Sequence, residues 1–349
     1  MNITVIKKLP PVEDIIQEFP LSDDGLELVN VSRREVKDII EGKDSRYIVV
    51  VGPCSAWPKE AVFEYAVKLK KLEEKVRDAL KIVMRVYIQK PRTTKGWTGP
   101  VNQPDPLDKA DIAAGIRYCR EMMVRVVHAG LPIADEALFT HNTKGFLELL
   151  SWVAIGARSA EDQEHRLFAS ALDCAVGLKN PTAGSIEIGV NSVVAAQHPH
   201  TAVLDGYEVR THGNPYAHLV LRGGEHGPNY RPEDLAKALS EMKKHAIKNP
   251  SLVIDVSHDN AKVGGVKHAK NQVEAVHEIM ATLHDRPELR GLVKGFMIES
   301  FLKEGCQKAV ASHPENLDLG GLSITDPCLG WDTTEELLHE LAEFKRKHG

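Results

Sequence analysis

No stretch of about 18 consecutive apolar residues occurs in the chain, so no segment reads as a membrane-spanning helix. The amino-terminal MNITVIKKLPPVEDII has no apolar core of signal-peptide type. Cysteine is scarce. The five residues Cys54, Cys119, Cys174, Cys306 and Cys328 are odd in number, widely spaced and form no CxxC pair, which excludes a disulfide framework. A cytoplasmic, reduced protein is expected. There is also no block of one charge sign: 44 Lys and Arg mix with 49 Asp and Glu along the chain, for a net charge of -5. Neither a nucleic-acid partner nor a membrane surface is expected from that pattern. Gly-rich phosphate signatures of the GxGxxG and Walker types are missing, which argues against an open dinucleotide-binding sheet. No internal repeat or low-complexity tract is evident.

A hydrophobic fraction of 42% with 27% charged residues describes a soluble globular chain able to bury a large core. Eight short apolar runs recur from about residue 47: RYIVVVGPC, KIVMRVYIQK, LPIADEAL, WVAIGAR, CAVGLKN, AHLVLRGG, SLVIDVSH and GLVKGFMIES. Helix-period segments lie between them, among them Pro58 to Ala79, Lys109 to His128, Ala160 to Leu172, Pro232 to Ile247 and Lys267 to His284, and Thr333 to Lys347 closes the chain. Strand and helix alternating eight times predicts an α/β (β/α)8 TIM barrel over residues 46–349. Residues 1–45 form an amino-terminal extension with an interface or regulatory role. Thr201 to Tyr216 reads as a hairpin inserted before the sixth barrel strand, with a turn at Gly213-Asn214.

Barrel enzymes build their sites at the carboxyl ends of the strands. Each run here ends in a reactive side chain: Cys54, Lys90, Glu136, Arg158, Lys179, Arg222, His258 and Glu299. A single polar residue at such a place is usually a turn residue, but eight of eight mark a site. Cys54, His258, Glu299 and Asp326 offer one thiolate, one imidazole and two carboxylates, a mixed donor set that suits one divalent Mn, Fe, Co or Zn ion better than Mg or Ca. Each alone reads more simply as a buried thiol, a structural histidine or a surface acid. Lys90-Pro91-Arg92-Thr93-Thr94 adds two cations and two hydroxyls at the second strand exit. With Arg158, Lys179 and Arg222 it gives a cationic pocket for two anionic groups.

GPCS at Gly52 to Ser55, MRVY followed by KPRTT and GW, GAR, LKN, LRGG with PNY, IDVSH, and SITD with CLGW up to Trp331 occur in one order. From about Ile6 to Lys347 the chain resembles the type I 3-deoxy-D-arabino-heptulosonate 7-phosphate synthases. The resemblance implies a (β/α)8 barrel that condenses phosphoenolpyruvate with erythrose 4-phosphate and releases phosphate, as the first step of the shikimate pathway. It assigns the metal to Cys54, His258, Glu299 and Asp326, and catalytic roles to Lys90 and His258. Phosphoenolpyruvate falls to Arg85, Lys90, Arg158, Lys179, Arg222 and the Ala157 backbone, the aldose to Arg92, Thr93 and Thr94. A homodimer or homotetramer is implied. A related synthase that uses arabinose 5-phosphate carries Ala-Asn-Arg after its lysine, whereas Pro91 follows Lys90 here, which favours the four-carbon aldose.

The chain departs from the family pattern at Ala56-Trp57-Pro58, Phe139 and Phe301, departures expected to alter the aldose end of the pocket. Asp173 stands where a small or apolar residue is usual. A buried carboxylate beside an aromatic effector is costly, so weak or absent inhibition by Phe, Tyr or Trp is expected. Glu136 receives no role. A paralogue acting on another aldose or keto acid, and a catalytically retired regulatory barrel, are the competing readings.

Overall fold

The computed structural model describes residues 1–92, 95–137, 145–204, 206–310 and 312–349. Eight parallel strands close into a barrel in sequence order: β1 (Tyr47–Gly52), β2 (Leu80–Arg85), β3 (Ile133–Glu136), β4 (Leu150–Ile155), β5 (Ala175–Lys179), β6 (Ala217–Leu221), β7 (Leu252–Asp255) and β8 (Val293–Glu299). The last strand pairs with the first, in the register Ile48 to Gly295 through Gly52 to Glu299. The strands are buried almost throughout. Strands covered on both faces read as unbroken apolar runs, which is why all eight were legible in the sequence.

The helices are α1 (Val12–Glu18), α2 (Asp23–Glu41), α3 (Lys59–Val76), α4 (Ile112–His128), α5 (Gln163–Ala171), α6 (Ile186–Gln197), α7 (Pro232–Lys244), α8 (Asn271–Asp285) and α9 (Trp331–His348). From α3 onward they cover the outside of the barrel. Side-chain caps begin several of them, with Ser22 on Gly25 N, Asp111 on Ala114 N, Asp162 on Glu164 N and Ser185 on Ile188 N.

The extension does more than precede the barrel. From α2, Val36, Ile39 and Ile40 join Ile48, Val50, Val83, Trp152, Val220, Val253 and Met297 in the cluster that fills the barrel interior. Because α2 leads directly into the start of β1, these side chains plug the amino-terminal end of the barrel. The opposite end, where the strands finish, remains for the site.

Thr201–Leu204 and Tyr207–Arg210 pair antiparallel before β6, as the inserted hairpin requires. The chain reverses between Leu204 and Tyr207 rather than at Gly213-Asn214. Those two residues make a separate turn that leads into β6, pinned by Asn214 N to Ala196 O and Ala217 N to Asn214 O. A second small hairpin, Lys262–Val263 with Val266–Lys267, follows β7. No helix among the described residues is long and apolar enough to cross a membrane.

Candidate active site

A cavity of about 320 Å³ opens at the carboxyl ends of the strands. Of the sequence-predicted residues, Arg85, Lys90, Arg92, Ala157, Arg158, Lys179, Arg222, His258 and Asp326 line it, and so does Glu136. Cys54 and Glu299 lie deeper and are fully buried. Thr93, Thr94 and Phe139 fall outside the described residues. Lys90 sits five positions beyond the end of β2, and the last residue of that strand is Arg85.

Cations on the wall are held by carboxylates beneath them. Arg85 Nη2 donates to Glu299 Oε1 at 3.0 Å, and Arg85 also stacks 3.6 Å from the Tyr87 ring centroid. Lys179 Nζ lies 2.9 Å from Asp255 Oδ2, and Arg222 pairs with Asp259. These partners fix the cations in place without covering them. The Nε groups of Arg92 and Arg222 are buried donors with no hydrogen-bond partner among the described residues. Buried donors are nearly always satisfied, so these two arginines of the cavity wall keep hydrogen-bonding capacity that their protein neighbours do not use.

Three of the four predicted metal ligands converge: Cys54 Sγ, one Glu299 oxygen and one Asp326 oxygen all lie within 4.8 Å of one another. His258 stands beside this group, with Nε2 3.7 Å from Glu299 Oε1. Its other ring nitrogen, Nδ1, is 2.9 Å from Asp255 Oδ2 but poorly aligned for a hydrogen bond. A carboxylate behind the distal nitrogen is the usual support of a metal-ligating imidazole. The His258 backbone has φ 49°, a left-handed conformation uncommon for histidine, held where Asn260 Nδ2 donates to Asp255 O at 2.8 Å. Ser257 Oγ donates to Glu299 Oε2 at 2.7 Å, and Gln272 brackets the Glu299 backbone from both sides.

Lys90 and Lys267 lie between the negative donors. Lys90 Nζ is 2.9 Å from Cys54 Sγ and 3.1 Å from Asp326 Oδ2, while Lys267 Nζ is 2.6 Å from Glu299 Oε2 and 3.4 Å from Asp326 Oδ2. Burial works against both ammonium groups, yet the surrounding anions hold both above the ordinary lysine range. Glu299 and Asp326 are held below the carboxylate range by these cations despite their burial. Burial, aided by Glu299, pushes the Cys54 thiol up. A convergent S, N and O donor set with this much compensating positive charge fits a divalent cation, which would hold the thiol ionised.

Lys267, Asp255 and Asp259 were not singled out from the sequence. Asp255 had one available signal, a lone acid closing the apolar run SLVID. Lys267 had none, because it reaches the site from the second hairpin. Among the departures, Phe301 is buried against Tyr65, and Trp57 is buried with Nε1 donating to Pro104 O at 2.9 Å. Neither lines the cavity, so the expected change at the aldose end does not arise from them. Asp173 is exposed, so the buried-carboxylate argument against an aromatic effector fails.

The DAHP synthetase I family model matches residues 19–339. A phospho-2-dehydro-3-deoxyheptonate aldolase of Haemophilus influenzae is 38% identical over 340 residues, 96% of this chain and 91% of that protein. The Tyr-sensitive aldolase of the same name from Escherichia coli is 39% identical over 346 residues, 98% of this chain and 94% of its own length. The solved structure of the Francisella tularensis aldolase superposes with a TM-score of 0.91 at 37% identity, covering 100% of both chains. With the barrel, the cationic cavity and these matches in hand, the chain belongs to the DAHP synthetase I family.

Proposed function

We propose that the cavity condenses phosphoenolpyruvate with erythrose 4-phosphate to give 3-deoxy-D-arabino-heptulosonate 7-phosphate and inorganic phosphate, the entry step of the shikimate pathway. The observation that carries this reading is the pairing of a multiply cationic cavity, with unsatisfied Arg92 and Arg222 donors, and a thiol–carboxylate cluster at its base. Two anionic substrates meet there only if their repulsion is offset, and fixed cations both offset it and set the approach.

Arg85, Lys90, Arg158, Lys179, Arg222 and the Ala157 backbone would take phosphoenolpyruvate. Arg92, with Thr93 and Thr94, would take the aldose phosphate. The phosphoenolpyruvate methylene carbon attacks the aldehyde carbon, and Lys90, kept protonated by its anionic neighbours, gives its proton to the nascent alkoxide. Water adds at the C2 cation, and the resulting phosphohemiketal expels phosphate. A divalent metal held by Cys54, His258, Glu299 and Asp326 would polarise the aldehyde oxygen. His258 would serve as one of those ligands, its Nε2 lying 3.7 Å from Glu299 Oε1.

The extension and the Thr201–Arg210 hairpin are assigned to subunit contact in a homodimer or homotetramer. The exposed Ile3, Val5 and Ile6 on one and Val203 and Tyr207 on the other support that assignment. A cytoplasmic location accords with five free cysteines.

An acceptor panel tests the substrate assignment. With phosphoenolpyruvate and metal present, erythrose 4-phosphate should give the seven-carbon product by mass, at far higher kcat/KM than arabinose 5-phosphate. Preference for another aldose or a keto acid would replace the aldose assignment while leaving the phosphoenolpyruvate reading standing.

A further inference from the structure

At the end of the barrel opposite the active site, a second cavity of about 220 Å³ lies among the start of β1, the start of β8 and the end of α9. Its walls carry Arg46, Arg290, Lys294, Lys345 and His348, against the Asp44 carboxylate and the carboxyl-terminal Gly349. The Asp44 carboxylate is already engaged: Arg46 Nε lies 2.9 Å and Nη2 2.6 Å from Asp44 Oδ2, and Nη2 also reaches Glu35 at 2.8 Å. Lys294 and Lys345 make no ion pair with any described residue. Lys345 Nζ instead sits 4.3 Å from the Tyr47 ring centroid.

The carboxyl-terminal end of α9 explains some of this charge, because cations there complement the helix dipole. Arg346 behaves in that way and pairs outward with Asp78 at 2.7 Å. The dipole does not explain why Arg290 and Lys294, from a different part of the chain, converge on the same hollow. Arg290 donates Nε to Leu283 O at 2.7 Å and Nη2 to His284 O at 3.3 Å, which fixes its guanidinium at the cavity wall. The Tyr47 hydroxyl, on a residue 2% exposed, has no hydrogen-bond partner among the described residues. Cations outnumber anions here: burial holds Lys294 below the ordinary lysine range, and burial with repulsion from Lys294 and Arg290 does the same for Lys345, against a smaller opposing pull from Asp44. An entering anion would relieve that repulsion and accept from the donors together.

We propose that this basal cavity is a binding site for a small phosphate-bearing anion, separate from the catalytic cavity and independent of the reaction assigned there. Free phosphate and a phosphate monoester share the necessary chemistry, and the volume admits either.

The test compares the wild type with Lys294→Gln/Lys345→Gln, using inorganic phosphate and glycerol 3-phosphate as probes. Calorimetric titration should give one site fewer per chain in the double variant, or one site weakened at least tenfold. The variant should also lose part of the phosphate-dependent rise in Tm. In phosphate-free buffer its Tm should match or exceed that of the wild type, because a repulsion has been removed, and its turnover should be unchanged. Equal binding of the two probes would identify a monoester-tolerant site, and binding of inorganic phosphate alone a free-phosphate site. The same number of sites, the same affinities and the same Tm response in both proteins would overturn the proposal. A single variant, Lys294→Gln, guards against a folding defect: it should weaken the same site and no other.

Discussion

Lys179 and Asp255 are 2.9 Å apart and almost sealed from solvent, with side-chain exposures of 3% and 0%. Removing the lysine leaves a carboxylate buried beside His258 and Glu299 with less positive charge to hold it. Lys179→Met should therefore lower stability by about 3–5 kcal/mol in urea unfolding, whereas Lys179→Met combined with Asp255→Leu should recover most of the loss. An unchanged unfolding midpoint in the single variant would show that Asp255 is compensated elsewhere. His218 gives a second test at this scale. Its Nε2 accepts from Trp152 Nε1 at 3.2 Å and its Nδ1 faces Tyr216 O at 2.9 Å, so the neutral ring satisfies both neighbours. Burial pushes this imidazole down to about 4. The unfolded chain takes up a proton near pH 6.5 while the folded one resists until about 4, so His218 costs stability progressively as pH falls through that window. The cost approaches about 3 kcal/mol at its lower end. His218→Gln does not titrate and can still accept from Trp152. The stability of the wild type relative to this variant should decline from pH 7 to pH 4, and a pH-independent difference would refute the assignment.

At the scale of elements, the eight strands and the residues at their ends were readable because parallel strands buried on both faces leave unbroken apolar runs that finish abruptly in polar residues. What α2 does was not readable. Its helical period shows an apolar face but not the surface that face covers, and only the closed barrel reveals that Val36, Ile39 and Ile40 enter its interior. Lys267 was hidden for a related reason: a short hairpin with Gly264-Gly265 at its tip carries it back to Glu299, and local sequence does not encode that return. Ile39→Ala should cost about 2–5 kcal/mol, as for a cavity made in a packed core, although the residue belongs to an extension. A loss under about 0.5 kcal/mol, typical of surface positions, would mean that α2 does not plug the barrel. The closing seam has its own requirement. A Cβ at Gly295 would collide with the Ile48 carbonyl across the β1–β8 pairing, so Gly295→Ala should destabilise or misfold the chain. Wild-type yield and Tm in that variant would contradict the observed register.

For the whole molecule, the two ends of the barrel are specialised differently. α2 fills one end, and the other brings cations, carboxylates and a thiol from nearly every strand to a single cavity. Motif order along the chain was enough to name the residues proposed for the metal and the anions, most of which line or underlie this cavity. The support beneath them, Asp255 under His258 and Lys179, Asp259 under Arg222, and Lys267 between Glu299 and Asp326, required the folded arrangement. The central claim is that this cavity joins two phosphorylated substrates with the help of a metal at Cys54. The most direct measurement is phosphate release from phosphoenolpyruvate and erythrose 4-phosphate by the wild type and Cys54→Ala, with bound metal quantified in each. One phosphate should appear per seven-carbon product in the wild type with Mn, Fe, Co or Zn. Chelation should abolish it, and Cys54→Ala should lose at least about 100-fold in turnover together with its metal, at the upper end of what loss of even an indirect metal-site contact costs. No phosphate release with any of the four metals, or full turnover by a metal-free Cys54→Ala, would contradict the account.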